Sequence, residues 1–317
     1  MPTNAEMMNM TRIQKADLSL AYLVGAGGAL NQEQAEKFVR LAMLKSTVMS
    51  KMTAVPMRAS ERKLPTIKFG SRILTKGASG EVVPSGSQAR PSFTYPVLSA
   101  RLFKAMVPVE DEVFEDNIEG ESIKNTLMQL ITDAIARDVE EIVLAGDTTH
   151  TTDETLAVLD GVIAQATSHL VDASGVRLSR TLLKALYKAL PSQYKDDDKS
   201  MVIWTGTTSA TDYRDDLADR ATVLGDQMAV EFGQLKYQGI GVEKVPLIPE
   251  TMGVTANRTV ALLMNPKNAT IGWHKKVEIA LDQNKLSGEM YFIVRTRFDV
   301  KLADPDGVSK VYSILAT

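Results

Sequence analysis

Five acids lie along Ile131 to Thr149, "ITDAIARDVEEIVLAGDTT": Asp133, Asp138, Glu140, Glu141 and Asp147. A hard cation such as Mg²⁺ takes carboxylate oxygens, so Asp133, Asp138 and Asp147 are the candidate ligands of a metal-dependent phosphohydrolase. That chemistry also needs a phosphate-binding lysine or a glycine loop, and neither a Walker loop nor a comparable element is present. Only His150, His169 and His274 supply imidazoles, and there is no cysteine. Thiolate metal sites, disulfides and cysteine nucleophiles are thereby excluded, and three scattered histidines do not make a zinc site or a Ser-His-Asp triad. No nucleophile elbow, HExxH or CxxC occurs. "GAGGAL", Gly25 to Leu30, lacks the third small residue and the preceding strand of a dinucleotide fingerprint, and it reads as a hinge.

The element that carries the acids explains them without catalysis. Ile123, Leu127, Leu130, Ile131, Ala134, Ile135, Val139, Ile142 and Val143 form an amphipathic stripe, which predicts one helix from near Glu121 to Ala145. Gly146 falls at its C-terminal cap and Asp147-Thr148-Thr149 in the turn beyond. Asp133 precedes Arg137 by four residues, the favourable order for a helical ion pair, and the other acids fall on or beside the solvent face. The stretch reads as a strut.

The 317 residues are 44% hydrophobic, enough for a sizeable core in more than one lobe. Lys and Arg total 36 against 39 acids, a net charge of −3, which gives no basic groove for nucleic acid. "LSLAYLVGAGGAL", Leu18 to Leu30, is too short and too glycine-rich to span a bilayer, and the flanking Glu6 and Asp17 argue against a signal peptide. After the hinge, "LNQEQAEKFVRLAMLKSTVMSKM" has helical spacing at Phe38, Leu41, Ala42, Leu44 and Val48, with Asn31 placed to cap it.

From Thr66 the period becomes two. "TIKFGSRIL" alternates around Ile67 and Phe69, and "SFTYPVLSARLFKAMVPV" around Phe93, Tyr95 and Val97. The connection between them, Thr75 to Pro91, is too long and polar for a compact hairpin, and an isolated two-stranded ribbon is marginal in water. A flap that lies on another subunit is the expected arrangement.

Ser179 is placed to cap a second helix through Leu190, ended by Pro191. "QYKDDDKS" follows as a charged boundary loop; its consecutive acids Asp196 to Asp198 cannot converge on one cation. Short strands then alternate with an acidic surface helix, "SATDYRDDLADRA". The strand read from Phe292 to Leu302 is expected to pair antiparallel with the last one across a turn at Asp304-Pro305-Asp306-Gly307. The whole is α+β.

One charge asymmetry stands out. Arg58, Arg62, Lys63, Lys68, Arg72 and Lys76 face only Glu61 in their segment, whereas Glu110, Asp111, Glu112, Glu115, Asp116, Glu119 and Glu121 are met by no base. Acids at a helix start favour its dipole, which is the bland account. The functional account has the flap of one copy, with Lys68, Arg72, Lys76, Glu81 and Arg90, contacting the acidic start of the next, with Glu112, Glu115, Asp116 and Glu119.

Arm, flap, long helix and two further lobes, in that order, resemble the major capsid proteins of tailed bacteriophages, the Hong Kong ninety-seven fold. The likeness is carried by "LNQEQAEKFVRLAMLKSTVMSKMTAVPM" as arm, "KLPTIKFGSRIL" leading into the extended loop, "ITDAIARDVEEIVLAGDTT" as spine helix, and "GWHKKVEIALDQ" with "FIVRTRFDVKLADP" as late strands. It implies an N-terminal arm at 1–62, an extended loop at 63–105 and a peripheral domain with the spine helix at 106–200. An axial domain at 201–270 and late strands at 271–317 complete it. It further implies pentamers and hexamers tiling an icosahedral shell around double-stranded DNA, assembled in the host cytoplasm and residing in the virion. A portal protein, a scaffolding protein and a decoration protein are the other partners so implied; no membrane, cofactor, catalytic residue or metal is. Some members link an extended-loop Lys to a neighbour's Asn, for which Lys68 and Lys76 are the available amines. A nanocompartment shell of the same fold, enclosing enzymes, is the alternative.

Overall fold

The computed structural model describes residues 48–68, 73–74, 76, 91–110, 122–151, 153–195, 200–219, 235–252, 257–284 and 288–316. The chain forms two compact units. Of the described residues, one comprises those of Leu102–Ile135 and Lys275–Arg297; the other comprises those of Leu44–Arg101, Ala136–His274 and Phe298–Thr317.

In chain order the elements begin with β1 Thr53–Pro56, β2 Glu61–Lys63, β3 Thr66–Lys68, β4 Ser92–Thr94, β5 Val97–Ser99, β6 Arg101–Glu110 and α1 Ser122–Ala145. They continue with α2 Val162–Gln165, β7 His169–Asp172, α3 Arg180–Ala189, β8 Val202–Thr205, α4 Thr207–Ala218, β9 Lys236–Tyr237 and β10 Ile240–Lys244. The last are β11 Arg258–Met264, β12 Ala269–Asn284, β13 Glu289–Leu302 and β14 Val308–Leu315. Most of the helix expected between Asn31 and Met52 lies outside the described residues. Its last part is a 3₁₀ turn at Met49–Lys51, and Val48 is buried.

The first unit packs a small core in which Val109 of β6 and Phe292 of β13 are fully buried. Leu127 and Ile131 of α1 pack on them with Ile279 and Met290, as the amphipathic stripe requires. At 24 residues α1 is about 36 Å long.

The second unit holds a six-stranded mixed sheet in the order β7-β14-β11-β8-β10-β9. Strands β8 and β10 are parallel, as are β14 and β7, while β11 runs antiparallel to both β8 and β14. Leu183, Leu186 and Leu190 of α3 and Tyr213 of α4 pack with Ile203, Ala261, Leu263 and Val311 of the sheet. The sheet therefore takes β7 from before Ser200 and β14 from beyond residue 270, among the late strands expected to return to the earlier domains. The reason is physical: β11 reads as an unbroken apolar run because both of its faces are covered, and it needs neighbours on either edge.

Two expectations are corrected here. Strands β13 and β14 are not paired with each other: β13 lies between β12 and β6, and β14 between β11 and β7. The turn between them, a 3₁₀ turn at Pro305–Gly307, hands the chain from one sheet to the other. It is pinned by Asn268, whose side-chain oxygen accepts the Asp304 N–H at 2.8 Å, and by Tyr194, whose hydroxyl donates to the Asp304 carboxylate at 2.6 Å. Ser179 does stand at the start of α3, yet its side chain makes no capping bond; the Arg180 N–H donates instead to Asp216 Oδ2 at 2.9 Å. An acid of the acidic helix thus does the work expected of the serine.

Candidate assembly surfaces

The acids of the spine helix are used structurally. Asp133 and Asp138 are exposed, and Arg137 pairs with Asp138 at 3.3 Å rather than with Asp133. The Asp147 carboxylate accepts the N–H and hydroxyl of Thr149, at 2.8 and 2.6 Å, which makes it a turn former. Glu140 corrects the solvent-face reading. It is only 1% exposed, and its Oε1 accepts the Val48 N–H at 2.7 Å, anchoring the segment that leads to β1. Burial, with Asp138 and Asp153 nearby, raises the pKa of Glu141 against the pull of Arg137. Among the described residues no three acids or histidines gather as a metal-binding group.

The flap is built from two short antiparallel ladders, β2 with β5 and β3 with β4. Its stem is well fastened. Leu98 of β5 is fully buried and, with Met57, packs over Gly272, where an added Cβ would stand 2.5 Å from Met57 Sδ and 2.9 Å from Leu98 Cδ1. The Arg62 guanidinium donates to the Pro56 carbonyl at 2.6 Å, and the Ser99 N–H donates to Asp299 Oδ2 at 2.6 Å.

Beyond the stem, cover is lost. Ile67 lies directly across from Phe93, and Phe93 stacks on Tyr95 with ring centroids 6.4 Å apart, so all three share one face. They are 59%, 52% and 52% exposed, and Leu74 further out is 83% exposed. A contiguous exposed apolar face of this kind marks an interaction surface. Of the charged residues expected there, Lys68 is on β3 and Lys76 is exposed. Arg72, Glu81, Arg90, Glu112, Glu115, Asp116 and Glu119 lie outside the described residues.

Sequence reasoning missed Asp299. Inward residues of β13 alternate as Phe298, Val300 and Leu302, so Asp299 should face outward, yet it is 4% exposed and accepts the N–H groups of Ser99 and Val300. The only hint is that the second half of β13 is buried on both faces. Burial raises its pKa, opposed by those two N–H groups and by Lys301 and Arg101. The native state therefore takes up this proton at higher pH than the unfolded chain does. The stability contributed by Asp299 grows as pH falls from neutral through the raised folded value and levels off below the ordinary carboxylate value. Wild type should gain thermal stability relative to Asp299→Asn across that window; melting curves from pH 7 to pH 4 check this, and parallel pH profiles would refute it.

The exposed apolar face of Ile67, Phe93 and Tyr95 is the feature of the described residues that marks a surface for association. Residues 26–312 match the phage capsid family, and the chain belongs to it. It is 33% identical over 313 residues to the putative prophage capsid protein YqbE of Bacillus subtilis (strain 168), a match covering 97% of this chain and 99% of that one. Its fold resembles the capsid protein of the native GTA particle, with TM-score 0.68 and 14% identity over 93% of this chain and 100% of that one. It also resembles a Microbacterium phage Oxtober96 structure, with TM-score 0.63 and 16% identity over 94% and 99%. The holo-SrpI encapsulin complex from Synechococcus elongatus PCC 7942 shares the fold, with TM-score 0.61 and 10% identity over 93% and 96%. The protein is thus a structural capsid protein that assembles with itself into a shell, a component of the virion.

Proposed function

We propose that this chain is the major coat protein of a tailed double-stranded DNA phage and forms pentamers and hexamers that close an icosahedral shell around the genome. The observation that carries this is the hairpin of β3 and β4, where Ile67, Phe93 and Tyr95 are each more than half exposed. A second copy is the natural cover, because closed symmetry repeats one modest contact many times. The role is structural and non-enzymatic. Packaged DNA makes weak, nonspecific contacts with a chain of net charge −3, and a portal, a scaffold and a decoration protein are its other partners. Assembly takes place in the host cytoplasm.

Electron microscopy of the purified protein tests the reading, with absorbance at 260 and 280 nm on any particles. Closed shells support it, and double-stranded DNA inside particles from infected cells separates a phage coat from an enzyme-filled compartment. A chain that stays monomeric at high concentration refutes it. The charge asymmetry adds a prediction: Arg72→Glu with Lys76→Glu should impair assembly and leave the circular dichroism of the monomer unchanged. Normal shells from that variant would remove the basic-flap contact.

A further inference from the structure

Helix α4 separates two unlike surfaces. On one side, Tyr213 and Leu217 line an open cavity of about 590 Å³ whose rim carries Arg180, Lys184 and Lys236. Tyr213 and Tyr237 at its floor are almost fully buried, while the three cations are exposed. Among the described residues no acid lines the cavity, and none of the three cationic side chains is held in a salt bridge. On the other side stand Asp215 and Asp219, both exposed and one helical turn apart. At about 100° per residue these two acids point roughly 160° away from Tyr213 and Leu217. Arg177 on that side opposes the effects of Asp215 and Glu250 on Asp212. Asp212 is left with a raised pKa, first through burial and then through those two acids.

We propose that the basic cavity of one copy receives Asp215 and Asp219 of the next, so that α4 links copies head to tail around a capsomer. Three features select this occupant. The acids and the cations are complementary in sign, and among the described residues neither set is in a salt bridge, Asp216 being occupied with the Arg180 N–H at 2.9 Å. The two carboxylates are spaced i, i+4, so they project together from one face of a helix. A ring also requires two different patches on each subunit, one facing each neighbour, and here they stand on opposite sides of a single helix. The aromatic floor partly desolvates whatever enters, which strengthens each charge contact relative to one made in open water.

This rests on the shell reading above, and the test keeps the two apart. Three variants of the full chain are compared with wild type by sedimentation velocity and electron microscopy: Lys184→Glu with Lys236→Glu, Asp215→Lys with Asp219→Lys, and all four changes together. Each double variant should raise the concentration needed for half assembly by at least about tenfold, and the fourfold swap should restore it to within about threefold. Circular dichroism of the unassembled variants should match wild type, since every altered side chain is exposed. Wild-type shells with unaffected double variants overturn the inference alone, as does a swap that fails to rescue. Loss of packaged DNA in the basic-side variant with assembly intact means that the cavity holds phosphates, and it also overturns the inference. A wild type that never assembles overturns the shell reading and the inference together.

Discussion

Gly161→Ala is expected to destabilise the second unit by about 3 kcal/mol, because backbone would have to move to admit a single methyl group. A Cβ at Gly161 would stand 2.7 Å from the Leu144 carbonyl oxygen and 2.8 Å from the Gly146 nitrogen. Its partner is equally confined: a Cβ at Gly146 would stand 2.5 Å from the Leu159 oxygen. The two glycines meet where the spine helix ends, joined by a bond from the Gly161 N–H to the Gly146 carbonyl at 2.8 Å. Gly161 has a φ of −75°, open to any residue, so the cost is one of space rather than of backbone conformation. Gly239 is the control. It has a φ of 90° and nothing within 4 Å of an added Cβ, so Gly239→Ala should cost only about 1 kcal/mol. Urea unfolding of the three chains measures the difference; equal midpoints for Gly161→Ala and wild type would refute the packing account.

Phe93→Ser combined with Ile67→Ser should have the opposite signature, abolishing shells while leaving the monomer as stable as wild type. Both side chains are more than half exposed, so their loss removes little buried area within the chain. Covering the exposed half of two such side chains in a neighbour contributes roughly 1–1.5 kcal/mol each. A shell repeats that contribution at every subunit, so the loss is multiplied across the lattice. Thermal melting and electron microscopy on one preparation separate the two effects. Shells of normal yield would show that the hairpin is not a principal contact, and a lowered melting temperature would show that it is covered from within.

Much of this was legible in the sequence because period and punctuation agree with the fold. The stripe from Ile123 to Val143 gives a helix found at Ser122–Ala145, and the alternation around Ile67 and Phe93 gives two strands that the structure pairs with those two residues opposite each other. Order of elements was legible; partnership was not. The apolar alternation in β13 is equally compatible with β14 or β12 as neighbour, and only the pinned turn at Asp304 decides. Gly146 follows the helix directly, as expected, but its N–H continues the helical pattern to the Ile142 carbonyl at 2.9 Å and its φ is not positive; what requires a glycine there is the close approach of Gly161, which neither residue signals. Polar anchors were the least legible. Glu140, Asp299 and Asp216 each look like surface acids and each holds a backbone N–H donated from a distant part of the chain.

Strand β14 lies between β7 and β11 and is the last strand described, paired in parallel with a segment some 140 positions earlier at Ser309 and His169. During synthesis β7, β8, β10 and β11 emerge from the ribosome with the slot between β7 and β11 still vacant. The sheet cannot close until Val308–Leu315 arrives, and such long-range closure is slow and leaves edges open to other chains. A coat protein made in large numbers would therefore be most vulnerable to clumping before Val308–Leu315 emerges. The same delay is useful: a chain still without β14 lacks the closed sheet against which α3 and α4 pack, and so cannot be built into a growing lattice.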